Sequence, residues 1–439
     1  MSSASDAPKD TTPDLAAELL EAVLAFLWRF RVEVVLLGLP AASFGLLARS
    51  LGPTPAGALL GVALVVLLVV PATRRFLVER LARAHWRRRL EKALGHLAHD
   101  CFADRRPVVG RVRRSAVGVG CVLHLRPGST PAHVVGAAEH LATALGVGEV
   151  RVEREKADAS VVRLNVVTRD PFGRGPIACP WAGIAQTSLF EPLPIGEDEL
   201  GRVVSLSLVE RNLLAGGEPG SAKSNLLQQI SAVTALDPTA SLWCLDPKVV
   251  ELARWTPVAA GVAGPDLAEA IGVLQRLADE MARRYAYLQQ RRARKIAAAD
   301  GLGLHVLVVD EAMIYLTDPD KLAAAEFASL LRKLVALGRA AGIIVVLATQ
   351  KPATDVVPSS VRDNIAIRAA FRCTTKDASD TILGAGWAAR GISAADIAVG
   401  QPGVCYLLAE GSTPQKLRCY HLGDEDLDGI VARAEALRR

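Results

Sequence analysis

A glycine-rich octapeptide, GEPGSAKS, lies between a short apolar run and a helical segment, NLLQQISAV. Strand, glycine-rich loop and helix in this order are typical of a phosphate-binding loop, because the glycines let backbone N–H groups surround phosphate oxygens. The helix N-terminus adds a favourable dipole for negative charge. The residues predicted to bind nucleotide are Gly217, Glu218, Pro219, Gly220, Ser221, Ala222, Lys223 and Ser224.

The last three residues of this loop decide its chemistry. Lys223 would reach the β- and γ-phosphates of ATP, and the Ser224 hydroxyl would ligate Mg²⁺. Ala222 stands where the pattern has glycine, and it fits if its backbone adopts ordinary helical angles. A glycine loop with a purely structural role remains the alternative for the octapeptide taken alone.

Three further apolar runs end in polar groups. HVLVV ends in Asp310 and Glu311; Asp310 would hold Mg²⁺ through its water shell, and Glu311 would act as general base for the attacking water. Gln350 follows the apolar run IIVVLAT, and its side chain would sense the γ-phosphate or orient the attacking water. Asp246 and Lys248 place an acid and a base at the same edge of the sheet, where ligands bind in open α/β folds. An ordinary strand-end turn is the structural alternative for the residues at 310–311 and 350.

Apolar runs alternate with helical segments from residue 193 onward, which predicts an α/β domain with a mostly parallel sheet. The predicted strands are Asn212–Ala215, Ser241–Leu245, His305–Val309, Ile343–Ala348 and Ala366–Phe371. Short β-rich runs around one amphipathic stretch predict a smaller α+β domain before it. The predicted segments are a disordered tail (1–20), a membrane hairpin (21–72), a basic helical linker (73–105), the small α+β domain with its connection (106–190) and the large α/β domain (191–439).

Two apolar stretches, at about 32–48 and 55–70, predict a hairpin of two transmembrane helices. The short loop between them, aromatic residues at the entry and an arginine cluster after the second stretch favour this interpretation over a pair of buried core helices. By the positive-inside rule the arginines keep both termini in the cytoplasm. The sequence therefore predicts a multi-pass protein of the cell membrane.

Composition excludes some classes of site and leaves the partner open. Seven widely spaced cysteines without a C-x-x-C pair indicate neither a disulfide framework nor a zinc site. The net charge of +5 is compatible with nucleic acid. The arginines that flank the apolar stretches explain this charge equally well, so motifs have to decide the partner.

With these elements in order, the chain resembles the FtsK/SpoIIIE family of DNA translocases over about residues 110–420. The segments that carry the resemblance are AGGEPGSAKSN, LDPKVVELARW, MARRYAYLQQ, LVVDEA, GRAAGIIVVLATQKPATDVVPSSVRDNIAIRAAFR and TTKDASDTILG. The resemblance implies a RecA-like P-loop motor domain after a small domain. It also implies a homo-hexameric ring around double-stranded DNA, in which an arginine completes the neighbouring subunit's ATP site. Arg339, Arg368 and Arg372 are the candidates for that arginine.

The two-span layout and short linker resemble the plasmid and integrative-element transfer (Tra) proteins of mycelial actinobacteria. The expected function is a membrane-anchored ATPase that uses ATP and Mg²⁺ to move double-stranded DNA in conjugative transfer. No winged-helix module is apparent, so accessory DNA-loading or transfer proteins are expected partners. The alternatives are chromosome segregation at cell division, an FtsK-like ATPase that energises protein secretion, and a non-hydrolysing membrane scaffold.

Overall fold

Residues 1–168 and 169–439 form separate units in the computed structural model of the chain. The structure describes residues 41–50, 52–97, 101–102, 105–115, 117–155, 157–173, 175–350, 359–409 and 411–439. The predicted tail at 1–20 and the first part of the predicted membrane span at 32–48 lie outside the described residues. Residues 169–190 belong to the second unit, where Trp181 and Leu189 join the hydrophobic core.

The N-terminal helices do not match the predicted membrane hairpin. Helix α1 (Pro53–Val69) is followed by α2 (Pro71–His96), and no helix in the described part of the chain is both long and apolar enough to cross a bilayer. The 17 residues of α1 extend about 26 Å, whereas the hydrocarbon core is about 30 Å thick. α2 is longer but carries repeated arginines. The predicted span at 55–70 and the multi-pass membrane localisation are therefore wrong, whereas the predicted span at 32–48 lies in part outside the described residues.

A four-stranded antiparallel sheet forms the centre of the first unit. Its strands are β1 (Val108–Arg114), β2 (Gly118–His124), β3 (Glu149–Arg154) and β4 (Val161–Val167), and two short helices, α3 (Pro131–Gly136) and α4 (Ala138–Leu145), lie between β2 and β3. The strand order is β1–β2–β4–β3. Alternate residues of β2 are buried, as expected for a sheet covered on one face. Leu90 and Leu94 of α2 contribute to the same core.

A mixed sheet of eleven strands forms the centre of the second unit. Its strands are β5 (Ile177–Ala178), β6 (Leu193–Asp198), β7 (Val203–Leu206), β8 (Leu213–Gly216), β9 (Ser241–Leu245), β10 (Gly261–Ala263), β11 (His305–Val309), β12 (Ile343–Thr349), β13 (Ile367–Phe371), β14 (Val404–Ala409) and β15 (Gln415–His421). Their order is β10–β9–β11–β12–β8–β13–β14–β15–β6–β7, with β5 beside β15.

The direction of the strands changes within this sheet. Pairing is parallel from β10 to β13 and antiparallel from β13 to β7. The prediction of a mostly parallel sheet therefore holds for the part that includes β8 and needs correction beyond it. The segments 193–206 and 404–421 add antiparallel strands on one side. The five strands predicted from the sequence are confirmed to within one residue at each end.

Helices cover both faces of the parallel part. They are α5 (Ser224–Leu236), α6 (Leu267–Arg291), α7 (Ala312–Leu316), α8 (Lys321–Leu337), α9 (Ser359–Arg362), α10 (Lys376–Leu383) and α11 (Asp424–Arg438). Successive residues of β11 alternate between two cores: Val306 and Val308 share one with α5 and α11, and Leu307 and Val309 share the other with α6 and α8. Cover on both faces explains why this strand is apolar throughout.

Candidate active site

Four polar segments meet at one edge of the large sheet. β8, β9, β11 and β12 are parallel, so their carboxyl ends lie side by side. The glycine loop follows β8, Asp246 follows β9, Asp310 and Glu311 follow β11, and Gln350 follows β12. The structure brings together the groups that the sequence placed at this edge.

The glycine loop, residues 217–224, joins β8 to α5 through an unusual backbone. Gly220 has a φ of 75° and Ala222 a φ of 62°, so both lie in the left-handed region. For alanine this conformation costs about 1–2 kcal/mol, because Cβ comes close to a carbonyl oxygen. The expectation of ordinary helical angles at Ala222 is therefore wrong. Ser221 Oγ donates to Glu218 O at 2.6 Å and closes the loop.

The lysine of the loop is held by the aspartate of β11. Lys223 Nζ lies 3.3 Å from Asp310 Oδ1, and the two side chains are 5% and 2% exposed. Neither charge is solvated by bulk water, so each charge is stabilised mainly by the other. Ser224 is the first residue of α5, at the helix end that favours anions. An incoming polyphosphate would meet an ammonium, a hydroxyl and a helix N-terminus.

Glu311 is fixed beside the end of β12. Its backbone is left-handed, with a φ of 49°, and the residue is 6% exposed. Its carboxylate accepts hydrogen bonds from the Gln350 N–H at 3.1 Å and from Thr349 Oγ1 at 3.3 Å. A left-handed glutamate is strained, and such strain is concentrated at functional sites. The carboxylate is therefore held in one position at the edge of the sheet.

Asp246 organises the loop that follows β9. Its carboxylate accepts hydrogen bonds from four backbone N–H groups, those of Lys248, Val249, Val250 and Leu252. The loop brings Lys248 Nζ to 4.0 Å from Glu311 Oε2. Asp246 therefore has a structural role in this loop. Of the two predicted groups, Lys248 is the one that lies near Glu311.

Comparisons with known proteins agree with this geometry. Residues 190–390 match the model of the FtsK/SpoIIIE family, and residues 85–168 match the actinomycete conjugal transfer protein N-terminal domain. The chain carries an FtsK/SpoIIIE domain. The resemblance to that family and to the actinobacterial transfer proteins is therefore confirmed.

The relatives of the FtsK/SpoIIIE domain are distant. DNA translocase FtsK of Lactococcus lactis subsp. cremoris is 26% identical over 332 residues, which cover 70% of this chain and 42% of that protein. DNA translocase FtsK of Staphylococcus epidermidis is 29% identical over 263 residues, or 54% of this chain and 31% of that protein. The chain thus spans less than half the length of these relatives.

A solved structure shows the same fold. The pCW3 conjugation coupling protein TcpA, in a monomer form with ATPγS, superposes with a TM-score of 0.54 at 17% identity, and the match covers 80% of this chain and 99% of that chain. At this identity the similarity concerns the fold alone. The fold of the second unit is that of an α/β P-loop ATPase with a mixed sheet.

The three arginines named from the sequence lie in different parts of the FtsK/SpoIIIE domain. Arg339 is exposed and precedes β12, so it is at the sheet edge opposite the glycine loop. Arg368, in β13, donates to the carbonyls of Ile365 and Arg362, and burial lowers the pKa of its guanidinium. Arg372 follows β13 and contacts the glycine loop of its own chain.

The contacts of Glu218 were not predicted from the sequence. This carboxylate accepts hydrogen bonds from Arg372 Nη1 at 2.7 Å and from Thr374 Oγ1. The Glu218 N–H donates to Arg372 O at 2.9 Å. The only signal in the sequence was an acidic residue inside a phosphate-binding loop, and nothing in the sequence indicated its partner, which is 154 residues away.

Oxygen ligands for a divalent cation are sparse at this edge. Within the described ranges, no group of three or more His, Cys, Asp and Glu side chains could hold a metal ion. The Ser224 hydroxyl and the Asp310 carboxylate suit Mg²⁺, which prefers oxygen and commonly takes one or two protein ligands beside phosphate and water. These residues therefore fit a cation that arrives with a nucleotide.

Proposed function

We propose that the chain is an ATP-driven translocase of double-stranded DNA that serves conjugative transfer. The observation that carries the proposal is the convergence of Lys223, Asp310 and Glu311 at the carboxyl edge of the sheet, in a domain that matches the FtsK/SpoIIIE family. DNA as the substrate is supported by the FtsK relatives, which are named DNA translocases. Conjugation is supported by the match of residues 85–168 to a conjugal transfer domain.

The glycine loop would hold the phosphates of ATP. Residues 217–224 would donate backbone N–H groups, and Lys223 would leave Asp310 to contact the β- and γ-phosphates. Ser224 and Asp310 would hold Mg²⁺, which neutralises phosphate charge when it is bound. Lys223 and Asp310 are buried together, so the charges of this pair balance each other.

Glu311 would accept the proton of the attacking water. A general base must lie within hydrogen-bond reach of the proton that it removes, and Glu311 is held at the same edge as the glycine loop. Gln350 is fixed next to Glu311 through its N–H, so its amide would orient the water or contact the γ-phosphate. Lys248 Nζ, at 4.0 Å from Glu311 Oε2, places a positive charge beside this carboxylate.

A neighbouring subunit would complete the site. We assign this role to Arg339 or Arg368 in a homo-hexamer, as the family resemblance implies, because neither contacts the glycine loop of its own chain in the described structure. Accessory proteins would load the DNA. Chromosome segregation is the second candidate function, and the FtsK relatives support it, but the conjugal transfer match favours transfer.

The test is ATP hydrolysis by the full chain with linear double-stranded DNA, with single strands and without DNA. We expect stimulation by the duplex that falls as salt rises, because contacts with the phosphate backbone release counterions. Glu311→Gln should reduce kcat about a hundredfold or more while nucleotide still binds, since the base is lost and the phosphate loop is kept.

Two outcomes would contradict the proposal. Turnover by an assembled protein that ignores DNA would favour a polypeptide substrate. Normal turnover by Glu311→Gln would place the general base elsewhere. Glu155→Gln is a matched control, because Glu155 pairs with Arg163 in the first unit and belongs to none of the segments that form the candidate site.

A further inference from the structure

The glycine loop contains a negative charge at its second position. Glu218 follows Gly217 directly, and its side chain is 23% exposed. The loop's N–H groups are expected to face a polyphosphate that carries several negative charges. A carboxylate at this place repels the ligand, and the repulsion is substantial where access to solvent is limited.

The same chain supplies the compensating cation. Arg372 Nη1 lies 2.7 Å from Glu218 Oε2, and the Arg372 side chain is 22% exposed. Thr374 Oγ1 donates to the other carboxylate oxygen. Both oxygens of Glu218 therefore have a donor from the segment that follows β13, and the charge of the carboxylate is neutralised within one subunit.

The backbone ties the same two segments together. The Glu218 N–H donates to Arg372 O at 2.9 Å, and a Cβ on Gly217 would lie 2.6 Å from Phe371 Cβ. The start of the loop thus packs directly against the end of β13. The arginine is held where it can act on the loop of its own subunit.

We propose that Arg372 is a positioning residue that acts in its own subunit, where it neutralises Glu218 and so allows the glycine loop to accept a polyphosphate. This inference rests on the nucleotide site of the proposed function. It removes Arg372 from the candidates for the arginine that reaches a neighbouring subunit. It also makes Glu218 and Arg372 an interdependent pair, so the effect of changing one depends on the other.

The experiment is a double-mutant cycle on the full chain, with Arg372→Gln, Glu218→Gln and the double variant. The readouts are the Kd for a fluorescent ATP analogue, the KM for ATP and kcat. We expect Arg372→Gln to weaken binding about tenfold, because Glu218 is left unpaired beside the phosphates. Glu218→Gln should bind about threefold more tightly than the wild type. The double variant should return to within about threefold of the wild-type Kd.

Other roles give different results. An arginine that completes a neighbour's site would lower kcat at unchanged Kd, and Glu218→Gln would not rescue it. If the contact between Glu218 and Arg372 only stabilised the fold, the double variant would have a lower unfolding midpoint, and its affinity for the ATP analogue would not be restored. Either result overturns the proposal. Arg372→Lys, which keeps the charge, should lose less affinity than Arg372→Gln, and Arg163→Gln controls for the loss of an exposed, ion-paired arginine.

A failure of the proposed function would give a result that differs from each of these outcomes. If the wild-type chain did not bind the ATP analogue at all, the nucleotide site itself would be wrong. If the wild type bound nucleotide and the two substitutions were additive, the site would stand, and only the coupling of Glu218 to Arg372 would be refuted.

Discussion

At the scale of single residues, Ala222 carries local strain within the glycine loop. Its φ of 62° suits glycine, and a left-handed alanine costs about 1–2 kcal/mol. Glycine in its place loses about 0.5–1 kcal/mol through the greater freedom of the unfolded chain. We therefore expect Ala222→Gly to raise the free energy of unfolding by about 0.5–1 kcal/mol, measured by urea denaturation of the full chain.

The matched control is the same substitution at Ala282, an exposed position inside α6. There the backbone is helical, so Ala282→Gly should lower the free energy of unfolding by about 1 kcal/mol. Opposite signs at the two positions would support the strain at residue 222. A loss of stability at both would mean that Ala222 is unstrained in solution.

At the scale of elements, the start of β11 packs against β9 and α6 through a half-buried histidine, His305. Trp243 Nε1 donates to His305 Nδ1 at 3.0 Å, so the proton of the neutral ring is on Nε2, which lies 3.5 Å from Glu280 Oε1. Burial lowers the pKa of His305 from 6.5 to about 4, and Arg284 adds to this, while Glu280 opposes it. The folded element therefore holds His305 neutral at pH 5, where an exposed histidine is protonated.

This depressed pKa makes stability depend on pH in a defined window. Below pH 6.5 His305 binds a proton in the unfolded chain, whereas in the folded chain it stays neutral until about pH 4. The free energy of unfolding therefore falls between pH 6.5 and pH 4, by up to about 3 kcal/mol in total. His305→Asn, which keeps an acceptor for Trp243, should have a smaller drop in unfolding midpoint between pH 7.5 and 5.5 than the wild type. Equal drops would show that folding does not lower the pKa of His305.

At the scale of the whole molecule, the sequence predicts the bounds of individual strands but not the contacts between segments far apart in the chain. The strands β9 and β11 have the predicted bounds because each is a continuous apolar run with polar ends. The antiparallel strands β6 and β14 were not predicted, because their pairing depends on segments far apart in the chain. The meeting of the strand ends at one edge follows from the predicted parallel strands. The contact of Glu218 with Arg372 was not predicted, because it joins segments far apart in the chain. The membrane prediction, which used hydropathy, the entry aromatics and the arginine cluster, was wrong for 55–70 because α1 is too short to span a bilayer.

Because the candidate site gathers residues from 217–224, 246–252, 310–311, 349–350 and 372–374, it exists only when the second unit is folded. A nucleotide that binds there must stabilise the folded state, by about 2.7 kcal/mol at a concentration of a hundred times Kd. We expect a non-hydrolysable ATP analogue with Mg²⁺ to raise the unfolding midpoint of the full chain by about 5 °C, and Lys223→Ala to abolish most of this shift. The measurement needs neither DNA nor a ring, so it separates a defect in nucleotide binding from a defect in assembly. An undiminished shift in Lys223→Ala would mean that the nucleotide binds elsewhere, because Lys223 is the buried cation of the glycine loop.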